Sequence, residues 1–231
     1  MARTKMAVLG LGHFGLHLSL DLTSLGCEVL GVDLREERAE LLRDRIDQTV
    51  VLDTTDPRAL RQLGLSDFDA VIVAIGENFE ASILTTAHLQ ELKIRRIVNR
   101  VVNPIHERLL RLMTVEELIL PEAEAASGLA RRLMIKGVTE ALGISSEYSV
   151  IEAKAPGWII GKTVAEVDLR KRFSLNLVTI MRMSKERGLM TLGTRSEKKV
   201  LGIPEATTVF CPEDILLLFG EEKSIRSFLT D

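Results

Sequence analysis

Lys5-Met6-Ala7-Val8-Leu9 runs straight into Gly10-Leu11-Gly12-His13-Phe14-Gly15. That order predicts a short buried strand, a tight glycine turn and the start of a helix. The glycines have Gly-x-Gly-x-x-Gly spacing. The first permits the sharp turn, the second lets backbone approach a bound group, and the third lets helix and strand pack closely. The N–H groups freed at such a turn, together with the helix dipole, favour an anion such as a phosphate. The spacing alone is generic, so the remainder of the chain has to support it.

It does so by repetition. A helix after Gly12 carries Leu16, Leu18, Leu20, Leu22 and Leu25 and stops near Gly26. Residues 27–33 read as a second strand ending in Asp33, which lies about 18 residues beyond Gly15, the window in which a carboxylate meets an adenosine ribose. Residues 35–45 read as a charged amphipathic helix, and 48–52 as a third strand. Asp56 and Pro57 then have the order of a helix cap and first-turn proline. The unbroken apolar run at 69–76 suits a parallel strand covered on both faces. Helices over 78–92 and 104–112 flank a fifth strand at 97–101, and a sixth falls at 118–120. This alternation predicts an α/β fold, a Rossmann-like, doubly wound parallel sheet over residues 1–120. Ligands in such sheets bind at the carboxyl ends of the strands. Here those ends carry Gly10–Gly15, Asp33–Arg35, Asp53–Thr55, Ala74–Asn78 and the region of Asn99–Arg100.

Beyond residue 120 the pattern changes. Ala126, Leu129, Ala130, Leu133, Met134, Gly137, Val138 and Ala141 follow helical spacing, which predicts a long helix over 121–143. Such a helix can pack on its own domain or cross to a second subunit, and its spacing leaves both open. Residues 145–231 read as a small α+β domain. It has strands near 148–153, 176–183 and 214–219, helices over 163–172 and 221–229, and breaks that include Gly188 and Gly193.

A length of 231 residues accommodates one or two domains, and a net charge of −3 argues against a general nucleic-acid binder. No apolar run approaches the roughly 18 residues of a membrane span, and residues 1–5 do not read as a signal peptide. Cys27 and Cys211 read as buried thiols of a reducing compartment. No nucleophile–base pair or metal-ligand cluster is visible around His13, His17, His88 or His106.

The glycine turn, Val29–Asp33, Val71–Gly76, Glu77-Asn78-Phe79-Glu80-Ala81-Ser82 and Leu120-Pro121-Glu122 occur in one order and spacing. In that combination the chain resembles the regulatory subunits of Trk/Ktr-type potassium transporters, with an RCK N domain followed by an RCK C domain. The resemblance implies a cytoplasmic protein held at the membrane through a potassium transporter subunit. It implies homodimers joined into a ring, expected as an octamer, with 121–144 as the crossover and dimerisation helix. It implies ATP, ADP or NAD(H) as ligand and regulation in place of catalysis. An NAD-dependent oxidoreductase is the alternative reading of the turn and Asp33.

By the same resemblance the ligand site is Gly10, Gly12, His13, Phe14, Gly15, Asp33, Leu34, Arg35, Asp53, Thr54, Ala74, Ile75, Gly76, Arg100, His106 and Glu122. Asp33 would take the ribose diol, Asp53 and Thr54 the surroundings of the adenine, and Arg100 a phosphate. Thr55, Asp56 and Asn78 read better as helix caps. Glu122 matches a glutamate that in some relatives helps hold a divalent cation such as Mg²⁺ near nucleotide phosphates. Arg170 and Asn176 lie where some relatives bind cyclic di-AMP, although Arg170, flanked by Lys171 and Arg172, reads better as part of a solvated basic face. His13 is a departure. Relatives carry an arginine there, and a histidine is shorter and only partly charged near neutral pH, which implies weaker discrimination of ATP from ADP.

Overall fold

The computed structural model describes residues 2–186 and 195–230, so Gly188 and Gly193 lie outside the described residues. The chain divides into two compact units, Met1–Pro121 and Glu122–Asp231.

The first unit alternates strand and helix in the predicted order: β1 (Lys5–Leu9), α1 (His13–Ser24), β2 (Glu28–Asp33), α2 (Glu36–Glu40), β3 (Gln48–Val51), α3 (Pro57–Arg61), β4 (Ala70–Val73), α4 (Phe79–Glu91), β5 (Ile97–Arg100), α5 (Pro104–Leu112) and β6 (Glu117–Ile119). The strands form one parallel sheet in the order β3-β2-β1-β4-β5-β6. Met6–Leu9 pairs with Val29–Val32 on one side and with Ala70–Val73 on the other. Alternate residues go to opposite faces of a strand. Ala7, Leu9, Val71 and Val73 accordingly join Leu60 and Leu89 on one face, while Val8, Ala70 and Ile72 join Leu11 and Leu42 on the other. Both faces are covered, which is why β4 is apolar without a break.

Helix caps also follow the sequence. The Asp56 and Asn78 carboxyl and amide oxygens accept from Arg58 N–H and Ala81 N–H. Thr55 is different: its hydroxyl donates to Asp53 Oδ1 at 2.7 Å and caps nothing. The helix expected over 35–45 regularises only over α2. From there the chain continues in i→i+3 turns, with Leu42, Arg43 and Arg45 N–H bonded to Ala39, Glu40 and Leu42 carbonyls. The tighter winding puts Ala39, Leu42 and Ile46 in the core.

The second unit comprises α6 (Pro121–Met134), β7 (Val138–Gly143), β8 (Tyr148–Lys154), α7 (Val164–Val167), α8 (Leu169–Phe173), β9 (Asn176–Glu186), β10 (Arg195–Val200), β11 (Ile215–Glu221) and α9 (Glu222–Thr230). Among the described residues its strands form an antiparallel sheet, β10-β9-β11-β8-β7. β8 and β11 alternate buried and less buried residues, so one face carries the core of Ile151, Ala153, Leu216 and Leu218 with Ile225 and Phe228 of α9. Trp158, Phe173 and Phe228 pack edge-on or tilted at 5.4–5.9 Å between centroids.

The helix expected through residue 143 stops at Met134. Gly137 takes φ +90°, and Val138–Gly143 pairs with β8 as a strand. Val138 and Ala141, which match helical spacing, instead pack on this unit's core from β7. Arg131 of α6 pairs with Glu222 and donates to Ser149 Oγ at 3.1 Å. The helix expected over 163–172 is two pieces, because Asp168 takes the left-handed φ of +46° between α7 and α8. Cys27 and Cys211 are free thiols, but partly exposed rather than buried. No helix of the described residues is long and apolar enough to cross a membrane.

Candidate nucleotide-binding cleft

The sheet order sets the position of the cleft. From β1 the chain proceeds to β2 and β3 on one side, then returns to β4, β5 and β6 on the other. The loops leaving β1 and β4 therefore part in opposite directions and open a crevice at their carboxyl ends. A cavity of about 620 Å³ occupies that crevice, within the range of small-molecule sites.

Its floor is the glycine turn. Gly10 takes φ +97° and its N–H donates to Val32 carbonyl at 2.7 Å, tying the turn to β2. A Cβ on Gly15 would stand 1.9 Å from the Gly10 carbonyl oxygen, so this glycine allows α1 to close on the turn. Gly12 is open: the nearest atom to a Cβ there is Arg38 Nη1, 3.8 Å away. The turn thus presents bare backbone to the cavity at Gly12, at the N-terminus of α1, where partial positive charge favours an anion.

Asp33 stands at the end of β2 and is 6% exposed. Its Oδ2 accepts Leu11 N–H at 2.6 Å and its Oδ1 accepts Arg35 N–H at 2.9 Å. The carboxylate therefore braces the glycine turn. An ionised carboxylate has about four acceptor positions, so two remain for hydroxyls of a ligand. Asp53 is held by a local turn through Thr55 N–H at 2.9 Å, and the Thr54 and Thr85 hydroxyls share a hydrogen bond at 2.8 Å. The Arg100 guanidinium lies over the Phe14 ring, 5.7 Å from its centroid, and fills the space beside Gly76 that a side chain would take.

Of the residues assigned to the site, Gly10, Gly12, His13, Asp33, Leu34, Arg35, Asp53, Thr54, Ala74, Ile75, Gly76 and Arg100 line the cavity. Phe14 and Gly15 do not; they support Arg100 and the turn from behind. Glu122 belongs to the second unit, in the first turn of α6.

His106 does not line the cavity. It is fully buried, its ring edge against Phe79 and its Nδ1 accepting Val102 N–H at 3.4 Å. Burial pushes the imidazole below its ordinary 6.5. An unfolded chain then binds a proton there before the folded one does, so folding is progressively opposed as pH falls. The His106 contribution is complete above about pH 6.5 and lost as pH drops through the lowered folded value. His106→Gln should flatten the fall in urea midpoint of the first unit between about pH 7 and 5; an unchanged profile would exclude this histidine as the cause.

Two charged residues of the cavity escaped sequence reasoning. Arg38 and Glu77 both line it. Glu77 binds Arg35 Nη2 at 3.0 Å and Arg38 Nη2 at 2.5 Å, joining the loop after β4 to the loop after β2 and to α2 that follows it. The hydrogen bond from Arg38, reinforced by its charge, holds the Glu77 carboxyl below the usual carboxylate range. Arg38 Nη1 lies 3.8 Å from Asp33 Oδ2. Glu77 follows Gly76 directly and Arg38 lies three residues beyond Arg35, so their positions just past the strand ends were signals. Their meeting was not.

Residues 6–121 match the TrkA-N domain model. Over 226 residues, 98% of this chain and 96% of the relative, it is 34% identical to Ktr system potassium uptake protein C of Bacillus subtilis (strain 168). The chain belongs to the TrkA-N family. A second similar relative, Ktr system potassium uptake protein A of the same organism, is 30% identical over 97% of this chain and 95% of its own length. Among solved structures, the GsuK RCK domain superposes over 100% of this chain with a TM-score of 0.64 at 18% identity. The GsuK channel bound to NAD superposes over 98% with a TM-score of 0.61 at 20% identity. This chain spans 48% and 39% of those two chains, and the likeness establishes the fold of both units.

Proposed function

We propose that this TrkA-N protein is a nucleotide-sensing regulatory subunit of a potassium uptake system. One observation carries the reading: a cavity at the sheet's switch point combines an open glycine turn with a buried acid that retains acceptor positions, within a chain alike over nearly its full length to Ktr potassium uptake proteins. ATP, ADP or NAD(H) fits this chemistry, with phosphates at Gly12 and the α1 N-terminus and the ribose at Asp33. A 2′-phosphate would meet the Asp33 charge.

The reading is a sensor rather than an enzyme. Asp33 is engaged by loop N–H groups, and Glu77 by two guanidinium groups. The cleft's carboxylates thus already serve its architecture. Regulation follows from differential binding: a ligand that prefers one arrangement of subunits shifts the population toward it by that difference in affinity. Leu129, Leu133 and Met134 of α6 are 46%, 78% and 65% exposed, which supports homodimers through this helix and from them a ring. Such a ring would act in the cytoplasm on a membrane potassium transporter subunit.

Glu122 is one carboxylate, and the described residues contain no group of three or more His, Cys, Asp or Glu suited to a metal. These side chains do not by themselves fit Mg²⁺, which takes six oxygens. Arg170 directs Nε and Nη2 onto Asn176 Oδ1 at 3.1 and 2.9 Å, so the pair expected near cyclic di-AMP is bonded to itself.

The reading is tested by mass spectrometry of the nucleotide carried through purification and by titration of ADP. Asp33→Ala should weaken ADP by about a hundredfold, through loss of two charge-assisted ribose contacts. Undiminished affinity, with the fold verified by circular dichroism, would remove Asp33 from the site.

A further inference from the structure

Arg38 stands at the point where the cleft meets its glycine turn. Its Nη1 is 3.8 Å from the place a Gly12 Cβ would occupy and 3.8 Å from Asp33 Oδ2. Its other terminal nitrogen holds the Glu77 carboxylate at 2.5 Å, and Arg35 holds the second Glu77 oxygen at 3.0 Å. A carboxylate is therefore fixed between two guanidinium groups beside the open phosphate turn. It is the chain's own carboxylate, carried on the loop directly after β4.

Two properties make this a replaceable occupant. Glu77 is 62% exposed, against Arg35 at 57% and Arg38 at 25%, and ion pairs of a carboxylate so open to water are weak. A guanidinium fork also matches a phosphate as well as a carboxylate, and a phosphate brings more charge and more acceptor oxygens. Asp33 is different: it is buried and bonded to backbone, so it cannot leave without releasing the turn.

We propose that Glu77 is a resident anion of the cleft, and that a nucleotide's phosphate displaces it from Arg35 and Arg38. This rests on the nucleotide reading above and makes Glu77 the residue that sets how much affinity each ligand phosphate adds. A ligand without phosphate leaves Glu77 in place. A phosphorylated one must first release it, and gains the two arginines in return. Displacement also separates the loop after β2 from the loop after β4, which adenosine alone would leave joined.

The experiment is isothermal titration of the nucleotide-free full chain with ADP, and with adenosine by displacement of ADP, in the parent, Glu77→Gln and Arg38→Gln. Glu77→Gln retains the side chain's size and removes its charge. It should bind ADP about three- to tenfold tighter and adenosine within about twofold of the parent. Arg38→Gln should narrow the ADP-to-adenosine ratio. If Glu77→Gln weakens ADP and adenosine alike, Glu77 is a strap closing over bound ligand and the proposal is overturned. Unchanged ADP affinity in Glu77→Gln overturns it as well. A parent that binds neither compound overturns the nucleotide reading itself, and this inference with it; the inference failing alone leaves parental ADP binding intact.

Discussion

Gly15→Ala should cost the first unit about 3 kcal/mol or more of stability and abolish nucleotide binding. A Cβ at this position would lie 1.9 Å from Gly10 O, 3.0 Å from Gly10 C and 3.3 Å from Ala74 Cβ. The two nearest atoms are backbone, so no change of rotamer relieves the clash. Either α1 moves off the sheet or the turn after β1 opens, and both dismantle the cleft. Gly12→Ala is the matched control. Gly12 has an ordinary φ of −63°, and a Cβ there meets nothing closer than 3.8 Å. It should therefore fold within about 0.5 kcal/mol of the parent, while its methyl group intrudes where a phosphate would sit. Urea unfolding followed by far-UV circular dichroism reads the stability, and ADP titration the binding. Equal stability of the two variants would show that the close approach of α1 is dispensable.

The second large effect is expected in the other unit. Arg182→Met should destabilise it by about 2–3 kcal/mol: Arg182 is 36% exposed, so water reaches the site and the loss falls below the roughly 3–5 kcal/mol of stranding one member of a fully buried pair. Asp214 is fully buried, and Arg182 Nε and Nη2 each donate to it at 2.8 Å. Without the arginine, the carboxylate retains the Cys211 N–H at 2.8 Å as its documented partner. That hydrogen bond does not replace a bidentate guanidinium. Combining Arg182→Met with Asp214→Leu should recover most of the loss, because the double change removes the buried charge as well as its partner. Trp158, the single tryptophan, lies in this unit's aromatic cluster, so its fluorescence reports the transition. A double variant no more stable than Arg182→Met would mean that the loss arises from packing of the arginine's alkyl stem rather than from its charge.

What was legible in the sequence follows from where each signal is local. In the first unit the central strands lie between helices and are covered on both faces, β4 throughout, so apolar runs and caps mark them without knowledge of their neighbours. β1, α4 and α5 fall within about one residue of expectation. The second unit is antiparallel, and its signals are ambiguous over short stretches. Residues 138–143 satisfy a helical period and a strand equally well; pairing with β8 decides between them. β10 was missed because Arg195–Val200 is a charged strand at the end of the sheet, with no apolar alternation to reveal it.

The cleft divides in the same way. The glycine spacing, Asp33 and the residues after β4 follow from strand ends, which local chemistry locates. The burial of His106 depends on Phe79 from a different helix closing over it. The meeting of Arg35, Arg38 and Glu77 depends on segments about forty residues apart, α2 with the loop before it and the loop after β4, arriving at one crevice.

By itself, then, the sequence determined the doubly wound sheet, its glycine turn and the acid at the end of β2, because each rests on periodicity or on a backbone conformation that glycine permits. Only the tertiary structure decided that α6 ends at Met134, that Asp33 braces the turn it faces, and that Glu77 rests between two arginines. Those outcomes depend on which strand pairs with which and on which charges come within hydrogen-bond reach. Contacts between distant residues carry that information, and spacing along the chain does not.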